Sequence, residues 1–285
     1  MPLPDHERPL GADEVQAVLA VVADERGLDF RDYRPEPILR GIRQRLEVTA
    51  VAPGDYVQRL RTDAGEIDRL VEALVVPWSG FFRDPPVWNA LTRVVLPALM
   101  LAHAGRPVPL RAWCVGAATG EEAWTAAMLL ADTCTRAGGS YDLLASDIDR
   151  RTLEIARAGC YPAAAVAEVP ASYRERFVDT AGAQCCVTPA LRQGVRFAYH
   201  DLLGRTLAPA EAIVASFELV LARNVLIYFD RRLQQKALER IGGTLEPGAA
   251  LVLGKVETMP VALRERFVPF AGVDPDLRIF SYVGG

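Results

Sequence analysis

The chain has 285 residues, with Lys+Arg 32 against Asp+Glu 36 and a formal net charge of −4, enough for one large domain or two. At 51% hydrophobic and 24% charged it is neither a disordered nor a collagen-like polymer. The near-balanced charge excludes a nucleic-acid binder that works by bulk electrostatics.

Five cysteines without a C-x-x-C pair and three scattered histidines offer no zinc spacing, so no metal is expected. An odd count that includes the adjacent Cys185 and Cys186 does not read as a disulfide framework. The N-terminus carries Asp5, Glu7, Asp13 and Glu14, where a secretory signal is basic and then apolar. The longest uncharged apolar stretch, Val94 to Ala104, contains Pro97 and falls short of the roughly 20 residues that cross a bilayer. A cytoplasmic protein without membrane insertion is expected.

In chain order, Gly11 to about Ala104 is helical: Val15, Val18, Leu19 and Val22 recur at helical spacing, as do Ile67, Leu70, Val71 and Leu74. After Pro107 the period changes. Leu110 to Val115, Tyr141 to Ser146, Val195 to Tyr199, Phe217 to Ala222 and Ala249 to Gly254 read as short buried strands. Residues 121–136, 149–158 and 230–243 read as helices between them, and this alternation implies a parallel sheet covered on both faces. The expected division is a helical domain over 1–104 and an α/β domain over 105–285. Residues 160–194, with Pro162, Pro170, Pro189 and the extended run Cys185 to Thr188, are too long for a simple connection and read as an insertion with strands of its own.

The sharpest local signal is Trp113 to Glu122, a strand running into a glycine loop that opens a helix. Gly116 and Gly120 permit backbone angles and close approach that side chains forbid. The loop lacks the Lys-Ser/Thr of a phosphate-gripping loop, and Glu121 and Glu122 at the helix start repel a pyrophosphate. A nucleoside-like ligand with a cationic amino acid moiety suits Glu121. Asp147 closes the next strand, where carboxylates of α/β nucleotide folds accept from ribose hydroxyls. Asp149 and Asp230 read as helix N-caps. Arg223, Asn224 and Tyr228 follow a third strand at the carboxyl edge, where such folds bind ligands.

Ser79 to Asp84, Trp113 to Glu122, Ser146 to Asp149 and Arg223 to Asp230 stand in the order and spacing of the CheR-type chemoreceptor glutamate methyltransferases, which this chain resembles from about residue 28 to 257. The resemblance implies an α/β fold: an S-adenosylmethionine-dependent methyltransferase (Rossmann-like) sheet with a helical N-terminal domain and a small inserted antiparallel β-subdomain. It implies cofactor contacts at Ser79, Arg83, Glu121, Asp147 and Asn224 beside the Gly116 loop, with Tyr228 near the transferred methyl and S-adenosylhomocysteine as product. Asp201 replaces the family's Asn before Leu202-Leu203 and can still accept from an adenine amino group. Ser79 replaces the usual Thr and keeps the hydroxyl. Gly254-Lys255-Val256-Glu257 departs from the usual Gly-His-Ser-Glu, which bears on substrate preference.

Methylation of a carboxylate needs no Ser-His-Asp or Cys-His group, because a Glu of pKa about 4.3 is ionised at neutral pH. Arg83 and Tyr228 are the candidates for positioning it. In similar enzymes a basic helix meets the receptor; here Arg40, Arg43 and Arg45 lie on a helix over 35–48, with Gly41 and Gln44 where the family often has further Arg. The expected partner is a chemoreceptor or chemoreceptor-like protein. The loop Asp179 to Gln184, short and without a basic residue, argues against a C-terminal peptide tether. The alternatives are methylation of a small carboxylic acid and a non-catalytic S-adenosylmethionine-binding scaffold.

Overall fold

The computed structural model describes residues 10–31, 33–74, 79–181, 184–212 and 214–284. They group into two compact units, one within residues 10–74 together with 228–233, the other within 79–227 together with 234–284.

The helical unit contains α1 (Ala12–Arg26), α2 (Pro35–Thr49), α3 (Pro53–Thr62) and α4 (Ala64–Leu74). Pro35 and Pro53 open their helices where a missing N–H costs nothing, and Gly27 closes α1 in the left-handed region. Val18, Val22, Ile38, Ile42, Leu60 and Leu70 are buried. A Cβ on Gly41 would lie 2.6 Å from the Ala73 carbonyl oxygen, so the close approach of α2 to α4 excludes an arginine there. Of the three arginines on α2, Arg40 and Arg43 are exposed. Arg45 instead donates to the buried Glu66 at 2.9 and 2.8 Å, which also accepts from Tyr56 Oη at 2.8 Å. Arg45 therefore holds the helices together and does not extend the exposed basic face.

The second unit begins with α5 (Pro85–Ala90), a π-helical turn (Leu91–Val95) and α6 (Leu96–His103). These bury Val87, Trp88, Leu91, Val95, Leu96 and Leu99 in one core with Ala112 and Cys114 of the sheet. The helical pattern that runs to Ala104 thus continues past the division between the compact units. There follow β1 (Leu110–Val115), α7 (Glu121–Ala137), β2 (Tyr141–Asp147), α8 (Arg150–Ala158), β3 (Cys160–Pro162), α9 (Ala163–Val166), α10 (Ala171–Phe177), β4 (Val178–Ala181), β5 (Gln184–Val187), α11 (Pro189–Arg192), β6 (Val195–Tyr199), β7 (Phe217–Ala222), α12 (Arg231–Gly242), β8 (Leu245–Leu253), β9 (Phe267–Pro269) and β10 (Ile279–Tyr282).

The main sheet has the order β6-β2-β1-β7-β8-β10-β9. From β6 to β8 all pairs are parallel, and the uninterrupted burial of β7 is that of a strand covered on both faces. The parallel expectation is corrected at one edge: β10 runs antiparallel to both β8 and β9. Strands of three and four residues carry too little periodicity to stand out in sequence.

The insertion forms its own antiparallel sheet, β3-β5-β4. The reading of the cysteines is corrected here, because Cys160 and Cys186 form a disulfide. They are direct cross-strand partners of β3 and β5, with Cα atoms 4.0 Å apart, a proximity that strand register creates and sequence spacing does not display. Cys114, Cys134 and Cys185 are free and buried.

Candidate active site

At the carboxyl ends of the parallel strands, β1 leaves the sheet through Gly116, whose φ is +68° and whose Cβ would lie 2.4 Å from Val225 Cγ2. Only glycine fits both the angle and the space. Gly120, φ +96°, opens α7, and its Cβ would fall 2.7 Å from Ala156 Cβ. Between them Tyr161 Oη donates to the Thr119 carbonyl at 2.6 Å. Thr119 Oγ1 donates to Glu121 Oε2 at 2.7 Å, orienting a buried carboxylate at the helix start.

Asp147, buried at the end of β2, accepts from Ala118 N at 2.7 Å on Oδ2 and from Asp149 N at 3.0 Å on Oδ1. Burial pushes its pKa above the usual aspartate range, and the amide hydrogen bonds oppose this. A carboxylate offers about four acceptor sites, so Asp147 can shape the glycine loop and still accept from ligand hydroxyls. Asp149 caps α8 through Arg151 N and Thr152 N, as expected. Asp201 follows β6, whose Tyr199 pairs with Asp147 in register; its Oδ1 accepts from Leu203 N at 2.8 Å, and burial raises its pKa.

Asn224 leaves β7 in the left-handed region, φ +60°. The turn is held by Glu257, whose carboxylate accepts from Asn224 N at 3.1 Å, Leu226 N at 2.7 Å and Gly254 N at 2.6 Å. Glu257 is buried, and burial raises its pKa against these three amides. A Cβ on Gly254 would lie 2.9 Å from Asn224 N, so the ends of β7 and β8 meet backbone to backbone. Sequence reading attends to Lys255 and Val256 and misses Glu257; an acidic residue three places after a glycine at a strand end is the signal that could have found it.

Arg223 is a structural bolt. Its guanidinium donates to Glu122 at 2.7 Å, Asp84 at 2.6 Å and the Arg83 carbonyl at 3.3 Å, and lies 5.2 Å over the Trp88 ring. Burial pushes Glu122 upward while Arg223 holds it down. The Ser79 to Asp84 segment is fastened along α7 by Ser79 Oγ accepting from Glu122 N at 3.4 Å and by Phe82 N donating to Thr125 Oγ1 at 3.1 Å. The half-buried Arg83 has its carbonyl fixed from a second side by Trp88 Nε1 at 2.7 Å. Ser79, Arg83, Gly116, Glu121, Asp147, Asp201 and Asn224 thus all belong to the sheet unit. Tyr228 belongs to the helical unit, where its carbonyl accepts from Arg34 N at 3.0 Å.

Residues 78–272 match the family described as CheR methyltransferase, SAM binding domain, and residues 13–75 match CheR methyltransferase, all-alpha domain. The chain belongs to the CheR methyltransferase family. It is 29% identical over 240 residues to the chemotaxis protein methyltransferase of Listeria monocytogenes, covering 83% of this chain and 87% of that one. It is 32% identical over 235 residues to the probable biofilm formation methyltransferase WspC of Pseudomonas aeruginosa, covering 81% of this chain and 54% of that one. An uncharacterized 104.1 kDa protein in the hypE 3′ region of Rhodobacter capsulatus is 33% identical over 251 residues, 87% of this chain. The chain spans 26% of that protein's length.

This CheR methyltransferase uses S-adenosylmethionine, and the residues present fit it. The buried carboxylates Glu121 and Asp147 suit a cationic ligand with hydroxyl donors and disfavour a phosphate. No helix among the described residues is long and apolar enough to cross a membrane.

Proposed function

We propose that the protein methylates glutamate side chains of chemoreceptors or chemoreceptor-like signalling proteins at the cytoplasmic side, forming methyl esters. The observation that carries this reading is the match of both the helical and the cofactor-binding CheR domains, which together span most of the chain.

S-adenosylmethionine supplies an electrophilic methyl carbon on a sulfonium, and the chain supplies alignment. The acceptor carboxylate is already ionised at neutral pH and needs no general base. Glu121 takes the cofactor's ammonium, Asp147 its ribose hydroxyls and Asp201 its adenine amino group, with Ser79, Gly116 and Asn224 completing the cradle. Arg83 and Tyr228 orient the acceptor carboxylate; holding two reactants in an attack geometry is worth about 7 to 11 kcal/mol. Support for Arg83 lies in a backbone held by both Trp88 and Arg223, which limits where its side chain can reach. The substrate docks directly, without a C-terminal peptide tether: the loop from Asp179 to Gln184 has no basic residue to meet a terminal carboxylate. Its Gly182 and Ala183 lie outside the described residues.

The test is transfer of radiolabelled methyl from S-adenosylmethionine to a purified chemoreceptor cytoplasmic fragment. Label released by mild base is the expected result, and base-stable label indicates a nitrogen acceptor and overturns the reading. Truncating the fragment's last residues is expected to leave the rate unchanged.

A further inference from the structure

Gly254-Lys255-Val256-Glu257 is a tight turn at the carboxyl end of β8, closed by Glu257 N donating to the Gly254 carbonyl at 3.0 Å. The Glu257 carboxylate clamps it a second time, binding Gly254 N within the turn and Asn224 N and Leu226 N on the neighbouring β7 exit. The two residues at the tip point away from this buried hub. Val256 is 72% exposed, and Lys255 is exposed without a hydrogen bond or ion pair among the described residues. An exposed valine alone is unremarkable. Here, though, an aliphatic side chain and an unpaired cation share a backbone that two strand ends hold rigid, within one carboxylate's span of the Asn224 turn. A preorganised surface loses little entropy on binding, and an unpaired rim charge acts on partner choice more than on bulk affinity.

We propose that Lys255 and Val256 are specificity residues for the protein substrate, selecting a segment in which an acidic and an aliphatic side chain flank the glutamate that is methylated. This rests on the glutamate reading above. Lys255 pairs with the flanking carboxylate, leaving the reacting one to be placed by other groups, and Val256 covers the aliphatic neighbour.

The probe is the purified cytoplasmic fragment of a chemoreceptor from the source organism, with its methylated glutamates mapped by mass spectrometry. Lys255→Glu is expected to raise KM for the fragment roughly three- to tenfold, with kcat and the affinity for S-adenosylhomocysteine unchanged. A fragment whose acids flanking the mapped glutamates are replaced by lysine reverses the preference, becoming the better substrate of the Lys255→Glu enzyme. Val256→Ser raises KM roughly twofold. Unaltered KM in Lys255→Glu, or a flanking-acid replacement that affects both enzymes equally, overturns the inference alone. Absence of base-labile label with wild-type enzyme overturns the glutamate reading beneath it. Lost affinity for S-adenosylhomocysteine in Lys255→Glu would mark a collapsed turn; Lys255→His, the residue usual in the family, then repeats the KM measurement, and unchanged KM there overturns the inference.

Discussion

Arg223 reaches Asp84 across 139 residues of chain to make a 2.6 Å ion pair, and its side chain has no exposed surface. The pair ties the segment carrying Ser79 and Arg83 to the end of β7. Removing one partner of a buried ion pair strands the other charge, typically at about 3 to 5 kcal/mol. Arg223→Met is therefore expected to lower the melting temperature strongly and to weaken S-adenosylhomocysteine binding. Asp84→Asn, which removes a carboxylate 36% exposed and already partly solvated, costs less because the buried Arg223 keeps its 2.7 Å ion pair with Glu122. Paired thermal melts of the two variants check the order.

The proposed contact of Asp147 with the cofactor's ribose makes cofactor binding sensitive to pH. Its folded pKa is raised by burial, so its contribution to stability is present at low pH and is lost as pH rises through the raised value. Ligand binding runs the other way, since hydroxyl donors need the ionised acceptor. Affinity for S-adenosylhomocysteine is expected to fall on acidification at a pH above the ordinary aspartate range. Calorimetry across pH is expected to show this dependence in wild type and its reduction in Asp147→Asn.

Glu257→Gln keeps the volume but replaces one acceptor oxygen by a donor facing backbone N–H groups. One or two of its three amides lose their partner, at about 1 to 3 kcal/mol each. Stability and cofactor affinity are expected to fall together, the latter because Asn224 loses its fixed turn. Chemical denaturation beside calorimetry separates this from a surface effect.

Cys160→Ser with Cys186→Ser removes a cross-link spanning 26 residues. Chain-entropy arguments allow up to roughly 3 to 4 kcal/mol, felt by the inserted sheet. Tyr161, next to Cys160, holds the Thr119 carbonyl, so a modest loss of cofactor affinity is expected as well. Melts with and without reductant, compared with the double variant, check it: wild type under reductant is expected to match the variant.

Arg83→Ala and Tyr228→Phe are expected to lower kcat while leaving the melting temperature close to wild type. Parallel losses of stability and turnover would assign both residues to folding. Single-turnover methylation beside calorimetric melting distinguishes the two.

His200 extends the pH argument to stability. Burial pushes its pKa down to about 4, so the unfolded chain binds the proton more readily than the folded one. Its contribution is present near neutrality and is lost as pH falls from about 6.5; His200→Gln is expected to flatten stability across that range.

Local rules of chain chemistry encode much of this fold. Buried apolar runs become parallel strands, Gly116 and Gly120 mark a loop whose backbone angles disfavour side chains, and Asp149 caps the helix it precedes. Motif order in one chain was enough to reach the family. Tertiary structure decided whatever depends on partners far apart in the chain. The Cys160–Cys186 bond arises from strand register, and the exclusion of arginine at Gly41 arises from the approach of α2 to α4. The charge of Arg223 acquires meaning only where Asp84, Glu122 and Trp88 converge on it, and that of Glu257 only where two strand ends meet. A side chain's type states which interactions it can make; the packing of distant segments decides which of them it must make, because a buried charge or amide left without its partner costs more than the fold can spare.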